Sequence, residues 1–254
     1  MPAIELHRIS HTFAGTPPVE ALREVSLTVE AGEFASIVGP SGCGKTTILR
    51  ILAGLIVPTA GEARIGGRST IGRPGLAAYM PQRDLLLPWR RALENATLGA
   101  EIAGMPRGEA RRRALELFEQ FGLRGFERAW PAQLSGGMRQ RLALLRTFLL
   151  PFDAILLDEP FGALDAITRR TMHAWLQDVW LRDRRTVLFV THDVEEALML
   201  ADTVYIMTAR PGRIAETMRV PFARPRPLDI VADPRFAALK ERLLETLDRA
   251  VQEG

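Results

Sequence analysis

The part of this chain that most constrains its fold is a glycine-rich loop, Gly39-Pro40-Ser41-Gly42-Cys43-Gly44-Lys45-Thr46-Thr47. An apolar run, Phe34 to Val38, precedes the loop, and apolar residues at helical spacing follow it from Ile48 onward. This order predicts a strand, a loop and a helix. The spacing Gly-x-x-x-x-Gly-Lys-Thr is that of a P-loop, whose backbone N–H groups turn inward around a chain of phosphates. The loop therefore predicts a binding site for a nucleoside triphosphate.

Residue types within the loop support the same interpretation. We expect Lys45 to reach the β- and γ-phosphates and Thr46 to hold Mg²⁺ through its hydroxyl. The helix that begins here directs the positive end of its dipole toward the same anion. Among the 33 lysines and arginines of the chain, only Lys45 and Lys240 are lysine. A compact ammonium suits phosphate oxygens at this position, so a merely flexible glycine turn is the weaker interpretation.

The composition is that of an ordinary globular protein. The chain has 254 residues, of which 47% are hydrophobic and 25% charged, enough for one large domain or two small ones. A net charge of +3 gives no argument for nucleic-acid binding. The single Cys43 excludes a disulfide within the chain, and we interpret it as a small filler residue. The sequence shows neither a signal peptide nor a membrane-spanning apolar run, so a soluble protein is expected.

The first thirty residues predict antiparallel strands. Apolar and polar residues alternate from Ile4 to Glu30, and Gly15-Thr16-Pro17-Pro18 interrupts the pattern. Phe13 stands just before the interruption and has two interpretations from its residue type. It is either a core residue of a small satellite cluster or a platform on which an adenine ring stacks.

The middle of the chain predicts a helical region and, after it, a second anion site at the start of a further helix. After an apolar strand at Leu76 to Met80, the segment Leu85 to Arg90 is too apolar for a surface loop. It is either a surface for a partner or a part of the domain's own packing. A helical pattern follows from Ala92 to Phe126. Ser135 is then placed to cap a further helix, with two glycines that leave the N–H groups at its positive end accessible.

Four apolar strands end in polar groups that suit ATP hydrolysis. Strands that are apolar throughout and alternate with helices predict a parallel sheet, where ligands bind beyond the carboxyl ends of the strands. We expect Asp158 to hold Mg²⁺ through water and Glu159 to orient the attacking water. The other two ends are Gln82, expected to touch metal and water, and His192, expected to stabilise the γ-phosphate. If each strand end is considered singly, the alternatives are that Asp158 and Glu159 only cap their strand and that His192 is a lone histidine in a loop.

Together these motifs resemble the ATP-binding subunits of ABC transporters, over almost the whole chain. The Leu-Ser-Gly-Gly signature is the most specific of them, because P-loops occur in many enzyme classes. The matching segments are Gly39 to Thr46 as Walker A, Gln82 as the Q-loop, Leu134 to Gln140 as the signature, Ile155 to Glu159 as Walker B, Ala163-Leu164-Asp165 as the D-loop and His192 as the switch histidine.

The resemblance implies a homodimer that closes head to tail over two ATP molecules. Phe13 falls where the family places its adenine-stacking aromatic residue. The signature residues expected to engage the ATP of the other copy are Leu134, Ser135, Gly136, Gly137 and Gln140. The implied fold is the α/β P-loop NTPase fold, with a mainly parallel sheet core, an N-terminal antiparallel β subdomain and an inserted α-helical subdomain. We expect one domain over 1–254, with helices at about 90–145 and a short tail, 221–254, without a regulatory domain.

Three segments are similar to importers of the nitrate, sulfonate and taurine group, and to importers of thiamine-precursor pyrimidines. They are Leu87 to Arg90, Asp158 to Asp165 and Thr191 to Ala197, whereas Leu145-Arg146-Thr147-Phe148 departs from the small residues usual there. This likeness implies a peripheral subunit at the cytoplasmic face of the membrane, with Trp89 facing a permease. An external binding protein and the permease would select the solute. ATP binding would close the dimer, and hydrolysis by Glu159 would reset it.

Two other functions are compatible with these motifs. A soluble ABC ATPase acting on DNA or ribosomes usually carries coiled-coil insertions or two fused ATPase domains, and this chain has one copy of each motif. A non-hydrolysing scaffold switched by ATP is the second, and the presence of both Glu159 and His192 weighs against it.

Overall fold

A computed structural model describes residues 2–162 and 164–252 of the chain. Ala163, the first residue of the expected D-loop, lies outside the described residues. The strands are β1 (Pro2–Phe13), β2 (Val19–Glu30), β3 (Phe34–Val38), β4 (Ala60–Ile65), β5 (Arg68–Ser69), β6 (Ala78–Met80), β7 (Ala154–Asp158), β8 (Thr186–Thr191), β9 (Thr203–Met207) and β10 (Ile214–Arg219). The α-helices are α1 (Lys45–Leu52), α2 (Ala92–Ile102), α3 (Arg107–Gln120), α4 (Gly136–Phe148), α5 (Ala166–Asp183), α6 (Val194–Leu200) and α7 (Pro234–Gln252).

The alternating N-terminal segment forms the predicted antiparallel sheet. Its strand order is β2-β1-β4-β5, and β1 is hydrogen-bonded to both β2 and β4. The apolar residues of β1 and β2, such as Ile4, Ile9 and Val25, are buried on the face that packs against α1. Gly66 and Gly67, both at positive φ, turn the chain between β4 and β5. Ala21 and Leu22 of β2 lie against Gly44, so this sheet covers one side of the glycine loop.

The apolar strands form a second sheet in the order β10-β9-β3-β8-β7-β6. Strands β9, β3, β8, β7 and β6 run parallel, and β10 is antiparallel at the edge. Every residue of β3, β7 and β8 is buried, as expected when helices cover both faces. The predicted mainly parallel α/β core is confirmed, and the carboxyl ends of β3, β6, β7 and β8 lie along one edge.

Helices α2, α3 and α4 lie between β6 and β7 in the chain and pack on one another. The helical pattern predicted over 92–126 is broken, because α2 ends before Gly104, at φ +93°, and α3 begins after Pro106. Proline cannot supply a helix-interior N–H group, which explains the break. The three arginines at 111–113 are exposed on α3.

The C-terminal segment is anchored to the core. The Arg226 side chain is fully buried and donates to the carbonyl oxygens of Leu198 (2.8 Å) and Ala201 (2.7 Å) at the end of α6. Helix α7 then buries Phe236 and Leu243 against the main core. Within residues 2–162 and 164–252, none of the helices combines the length and the apolar character needed to cross a bilayer.

Candidate functional site

The predicted loop and strand ends meet around a cavity of about 650 Å³. It lies beyond the carboxyl ends of the parallel strands, where ligands bind in sheets of this kind. The lining residues include Phe13, Ser41, Gly42, Gly44, Lys45, Thr46, Thr47, Gln82, Glu159, His192 and Arg210. Phe13 is 40% exposed at the mouth of the cavity, which favours the binding interpretation of this residue over the core interpretation.

Glycine is required for the shape of the loop. Gly42 and Gly44 have φ angles of +78° and +102°, which side chains of L-residues rarely tolerate. A Cβ added to Gly44 would lie 2.5 Å from Leu22 Cδ2. Gly44 also precedes the first turn of α1, so the free N–H groups of that helix open into the cavity. The loop thus provides backbone donors for an anion such as a phosphate chain.

Lys45 lies beneath the loop and bridges two backbone carbonyl oxygens at its start. Its Nζ donates to the carbonyl oxygens of Gly39 (2.7 Å) and Pro40 (2.9 Å). Cys43 is buried beside it, and burial raises the pKa of the Cys43 thiol. A buried, protonated thiol agrees with the interpretation of Cys43 as a filler residue. The ammonium of Lys45 therefore places a buried positive charge inside the loop.

Asp158 and Thr46 form a pair of oxygen groups at the end of β7. The Thr46 hydroxyl donates to Asp158 Oδ1 (3.1 Å), and the Tyr79 hydroxyl donates to Asp158 Oδ2 (3.3 Å). Burial raises the pKa of Asp158, and burial followed by the nearby Asp158 charge raises the pKa of Tyr79 to about 12. A hydroxyl and a carboxylate are hard oxygen ligands of the kind that Mg²⁺ prefers, so the pair fits this metal.

Glu159 is turned away from Asp158 by an unusual backbone conformation. Its φ is +46°, and its N–H donates to the Val190 carbonyl oxygen (2.9 Å) on the neighbouring strand. Side chains from the ends of two other strands converge on Glu159 Oε2. Gln82 Nε2 lies 3.2 Å from this oxygen and His192 Nδ1 lies 3.3 Å from it. Non-glycine residues at positive φ carry strain and cluster at functional sites.

The signature segment divides into exposed and buried parts. Ser135 Oγ accepts from the Met138 N–H (3.2 Å) and caps α4, as predicted, and Ser135 and Gly136 are exposed. Leu134 is buried in the core. Gln140 differs from the expectation, because it is only 4% exposed and its Nε2 donates to the Pro160 carbonyl oxygen within the same chain. Its amide is therefore used inside the subunit.

Asp165 of the expected D-loop has a local structural task. Its carboxylate accepts from the N–H groups of Ile167 (3.1 Å) and Thr168 (3.0 Å) and so caps α5. The hydrogen bonds to Thr168 are the main reason that the pKa of Asp165 is lowered. Asp165 is exposed, and this end of the helix faces solvent in the monomer.

Arg210 and Tyr79 line this region without having been predicted. Arg210 Nε and Nη2 each lie 3.2 Å from the Gly42 carbonyl oxygen, which places a guanidinium at the rim of the glycine loop. Tyr79 supplies the second hydroxyl to Asp158. Arg210 lies far from the motifs in sequence, and Tyr79 sits inside a strand, so neither has a spacing that could have indicated its position.

The apolar segment after Gln82 is partly packed within the domain and partly exposed, and its interpretation as a partner surface stays a prediction. We call residues 82–90 the Q-loop segment. Leu86 packs on the core, whereas Leu85 is 58% and Trp89 70% exposed. Its backbone is tied to α4 by Arg146, whose guanidinium donates to the carbonyl oxygens of Asp84 (2.6 Å) and Leu85 (3.0 Å). Arg146 lies in the segment whose sequence departs from the common family pattern.

Comparison with known proteins shows the family to which the chain is similar. The family model described as ABC transporter matches residues 22–162. The chain is 47% identical over 247 residues to an aliphatic sulfonates import ATP-binding protein of Rhodococcus jostii (strain RHA1), which covers 97% of this chain and 94% of that protein. It is 43% identical over 249 residues to a taurine import ATP-binding protein of Chromobacterium violaceum, covering 96% and 95% respectively.

Two solved structures share the fold. One is a dimeric bacterial ABC transporter cassette, with a TM-score of 0.77 and 31% identity, which covers 87% of this chain and 100% of that chain. The other is a dimeric post-hydrolysis state of an ATP-binding cassette bound to ADP and Pi, with a TM-score of 0.76 and 31% identity over the same shares.

Proposed function

The chain belongs to the ABC transporter family of ATP-binding proteins, and from this we propose that it powers the import of a small solute through a membrane permease. The names of the relatives from R. jostii and C. violaceum support a sulfonate or taurine as the solute. Nitrate and a thiamine-precursor pyrimidine remain the other solutes of the sequence-based hypothesis. ATP is the substrate of the chain itself, because family members are ATP hydrolases.

The single observation that carries the hydrolytic part is the convergence on Glu159 Oε2. Gln82 and His192 both lie within 3.3 Å of this oxygen, above a loop shaped for phosphates. A carboxylate at such a point can accept a proton from water that attacks the γ-phosphate. Gln82 and His192 would orient that water and the γ-phosphate. In this proposal Lys45 exchanges its two carbonyl partners for phosphate oxygens when ATP binds.

Thr46, Asp158 and Gln82 are the residues that would hold Mg²⁺. When bound, the metal ion would neutralise charge on the β- and γ-phosphates. Thr46 and Asp158 are already 3.1 Å apart through a hydrogen bond, so their oxygen atoms would need to exchange that bond for the ion. The remaining nucleotide contacts would come from Phe13 at the adenine and from residues 39–47 at the phosphates.

Two copies of the chain would close over two ATP molecules. Ser135 and Gly136 are exposed and Gly137 is half-buried, so their N–H groups at the start of α4 are available to the nucleotide of the other copy. Asp165 is exposed at the start of α5 and would lie in the same interface. Residues 1–254 would act as one ATP-binding domain, with helices of about 90–145 as its helical subdomain and 221–254 as its tail.

The Q-loop segment would connect the nucleotide to the permease. It begins at Gln82 in the cavity and carries Leu85 and Trp89, whose exposed apolar surface suits burial against a partner. We propose that the protein is peripheral at the cytoplasmic face of the membrane. An external solute-binding protein would act on it only indirectly, and nucleic acid is not a partner in this proposal.

Phosphate release by purified protein tests the hydrolytic proposal. Glu159→Gln should keep ATP binding, because the glycine loop is intact, but lose turnover by about a hundredfold or more, since the amide cannot accept the proton of water. With ATP it should also accumulate as a dimer in light-scattering measurements. Unchanged phosphate release would exclude Glu159 as the base. The matched control is Glu241→Gln on α7, which should hydrolyse ATP as the unaltered protein does.

A further inference from the structure

We infer that His173 is a positioning residue for hydrolysis, which holds His192 in place through Glu196 and Thr191. This inference rests on the proposed ATPase function. The structure shows His173 as a buried, hydrogen-bonded residue of α5. Its partners connect it to the loop that carries His192.

The connection is a continuous chain of hydrogen bonds behind the cavity. His173 Nε2 lies 2.8 Å from Glu196 Oε1, and the Thr191 hydroxyl donates to Glu196 Oε2. Thr191 Oγ1 in turn accepts from the Asp193 N–H (3.0 Å). Thr191 and Asp193 are the residues on either side of His192. The backbone on both sides of His192 is therefore fixed by a series of hydrogen bonds that leads to His173.

His192 needs such support because it has little of its own. Its side chain is 55% exposed, and Glu159 Oε2, at 3.3 Å, is the side-chain contact that the structure gives it. An exposed side chain is positioned chiefly by its backbone, and catalytic geometry tolerates only small displacements. The buried chain of hydrogen bonds supplies that rigidity from the side away from the nucleotide.

His173 also contacts the turn that follows Glu159. Its ring packs at 64° against the ring of Phe161, with centroids 5.3 Å apart, and Phe161 is fully buried. The same turn is closed by a hydrogen bond from the Gly162 N–H to the Glu159 carbonyl oxygen (3.2 Å). One side chain on α5 thus contacts the turn after Glu159 directly and is linked to the His192 loop through Glu196.

A second contact from α5 reaches the same loop. Arg169, one turn before His173, has Nη1 3.3 Å from Asp193 Oδ2 and donates through Nη2 to the Leu164 carbonyl oxygen (3.1 Å). Residues four apart lie on one face of a helix, so this face of α5 holds the His192 loop twice. Asp165 caps the start of α5, so this helix runs from the expected D-loop to the side chains that hold the His192 loop.

Loss of the imidazole would leave the Glu196 carboxylate buried with one partner fewer. Glu196 is 3% exposed, and a buried carboxylate without its hydrogen-bond partners carries a large desolvation cost. The carboxylate would then move toward other donors and take the Thr191 hydroxyl with it. We therefore expect the main effect of removing His173 on the position of His192, with little effect on the phosphate-binding loop.

The test compares three variants by steady-state phosphate release and by thermal melting. His173→Leu should lower kcat by about tenfold while the KM for ATP stays within about twofold, which is the pattern of an interaction needed in the transition state. His173→Gln should recover most of the activity, because its Nε2 can donate to Glu196 as the imidazole does. Gln177→Leu is the matched control, since Gln177 is buried one turn further along α5 and bonds to the Arg226 backbone instead.

Gln177→Leu should melt at a lower temperature but keep kcat within about twofold. An equal loss of kcat in His173→Leu and Gln177→Leu, or no loss in a folded His173→Leu protein, would overturn the inference. Adding His173→Leu to His192→Ala should lower kcat no further than His192→Ala alone. If His173→Leu lowers kcat as much in the His192→Ala protein as in the unaltered protein, the inference is also overturned. Absence of phosphate release by the unaltered protein would instead contradict the proposed ATPase function, which separates that failure from a failure of the inference about His173.

Discussion

Asp158 and Glu159 are neighbours in sequence, but the backbone turns their carboxylates into different surroundings. Asp158 is fully buried and shares two hydroxyl donors, whereas Glu159 faces the cavity from a residue at positive φ. Buried charge and backbone strain both cost stability and persist where the surrounding structure enforces them. At the scale of single residues, the site therefore trades stability for the placement of two carboxylates.

Asp158→Asn should make the nucleotide-free protein more stable near neutral pH. Burial raises the folded-state pKa of Asp158 above its unfolded value, so the folded state binds the proton more tightly and the ionised group is destabilising at high pH. As the pH falls through the raised pKa, Asp158 takes up its proton. The difference in stability between Asp158→Asn and the unaltered protein should then disappear. Melting temperatures across a pH series measure this. A lower melting temperature of Asp158→Asn near neutral pH would contradict this prediction. The gain in stability should be accompanied by loss of Mg²⁺-dependent turnover.

Arg210→Ala should weaken ATP binding by several-fold, that is by about 1 kcal/mol. The guanidinium stands at the rim of the glycine loop, where it adds positive charge near the expected phosphates and braces the Gly42 carbonyl. Fluorescent nucleotide titration measures the dissociation constant. Arg112→Ala on α3 is the control, because Arg112 pairs with Glu116 on the solvent side of that helix. Equal affinities in both variants would show that Arg210 does not contribute to binding.

At the scale of elements, the periodicity of the sequence predicted most strands and helices because the signal is local. The bounds of β3 follow from the apolar run Phe34 to Val38, and the N-cap of α4 follows from Ser135. The contacts that join elements were not predictable in this way. Gln140 bonds to Pro160, 20 positions away, and Arg146 bonds to Asp84, 62 positions away. The type of a side chain alone does not specify such distant partners.

Arg146 and Asn95 hold the Q-loop segment from two helices. Asn95 accepts from the Leu87 N–H (2.7 Å) and donates to the Arg90 carbonyl oxygen (2.9 Å), while Arg146 binds the carbonyl oxygens of residues 84 and 85. With its backbone fixed, the segment can present Trp89 to solvent and Gln82 to the cavity. The position of this segment therefore depends on both α2 and α4.

Arg146→Met should uncouple α4 from the Q-loop segment. Two carbonyl oxygens lose a charged donor, at about 1–3 kcal/mol for each one that stays buried and unsatisfied. We expect a lower melting temperature and slower turnover with nucleotide affinity nearly unchanged, because the glycine loop is not touched. Arg124→Met, a surface residue paired with Glu119, is the control for loss of an arginine. Turnover that stays normal in a folded Arg146→Met protein would show that the tie is structural only.

At the scale of the whole molecule, the C-terminal segment is part of the ATPase fold. The sequence predicted a short tail over 221–254, and the structure shows that this tail contains the helix α7. What the sequence did not indicate is that Arg226 closes the end of α6 with its side chain, because a lone arginine between prolines has no local signature. Helix α6 follows the His192 loop directly, so the tail stabilises the region behind the cavity.

Arg226→Met should lower the melting temperature by about 5 °C or more, because several buried carbonyl oxygens at the end of α6 lose their donor. Differential scanning calorimetry measures the change. Arg242→Met on α7 is the matched control, since Arg242 makes an exposed pair with Glu216 that is expected to contribute little. Similar melting temperatures for the two variants would contradict the structural role of Arg226.

Identification of what binds this subunit in native membranes tests most directly whether it powers transport. Tagged protein would be purified after mild solubilisation, and stoichiometric partners identified by mass spectrometry. We predict a permease with several membrane spans, recovered with unaltered protein and with Leu244→Ala, an exposed position on α7, but lost with Trp89→Ala. Recovery of ribosomes or nucleic acid in place of a permease would contradict the transport function and leave only the ATPase chemistry.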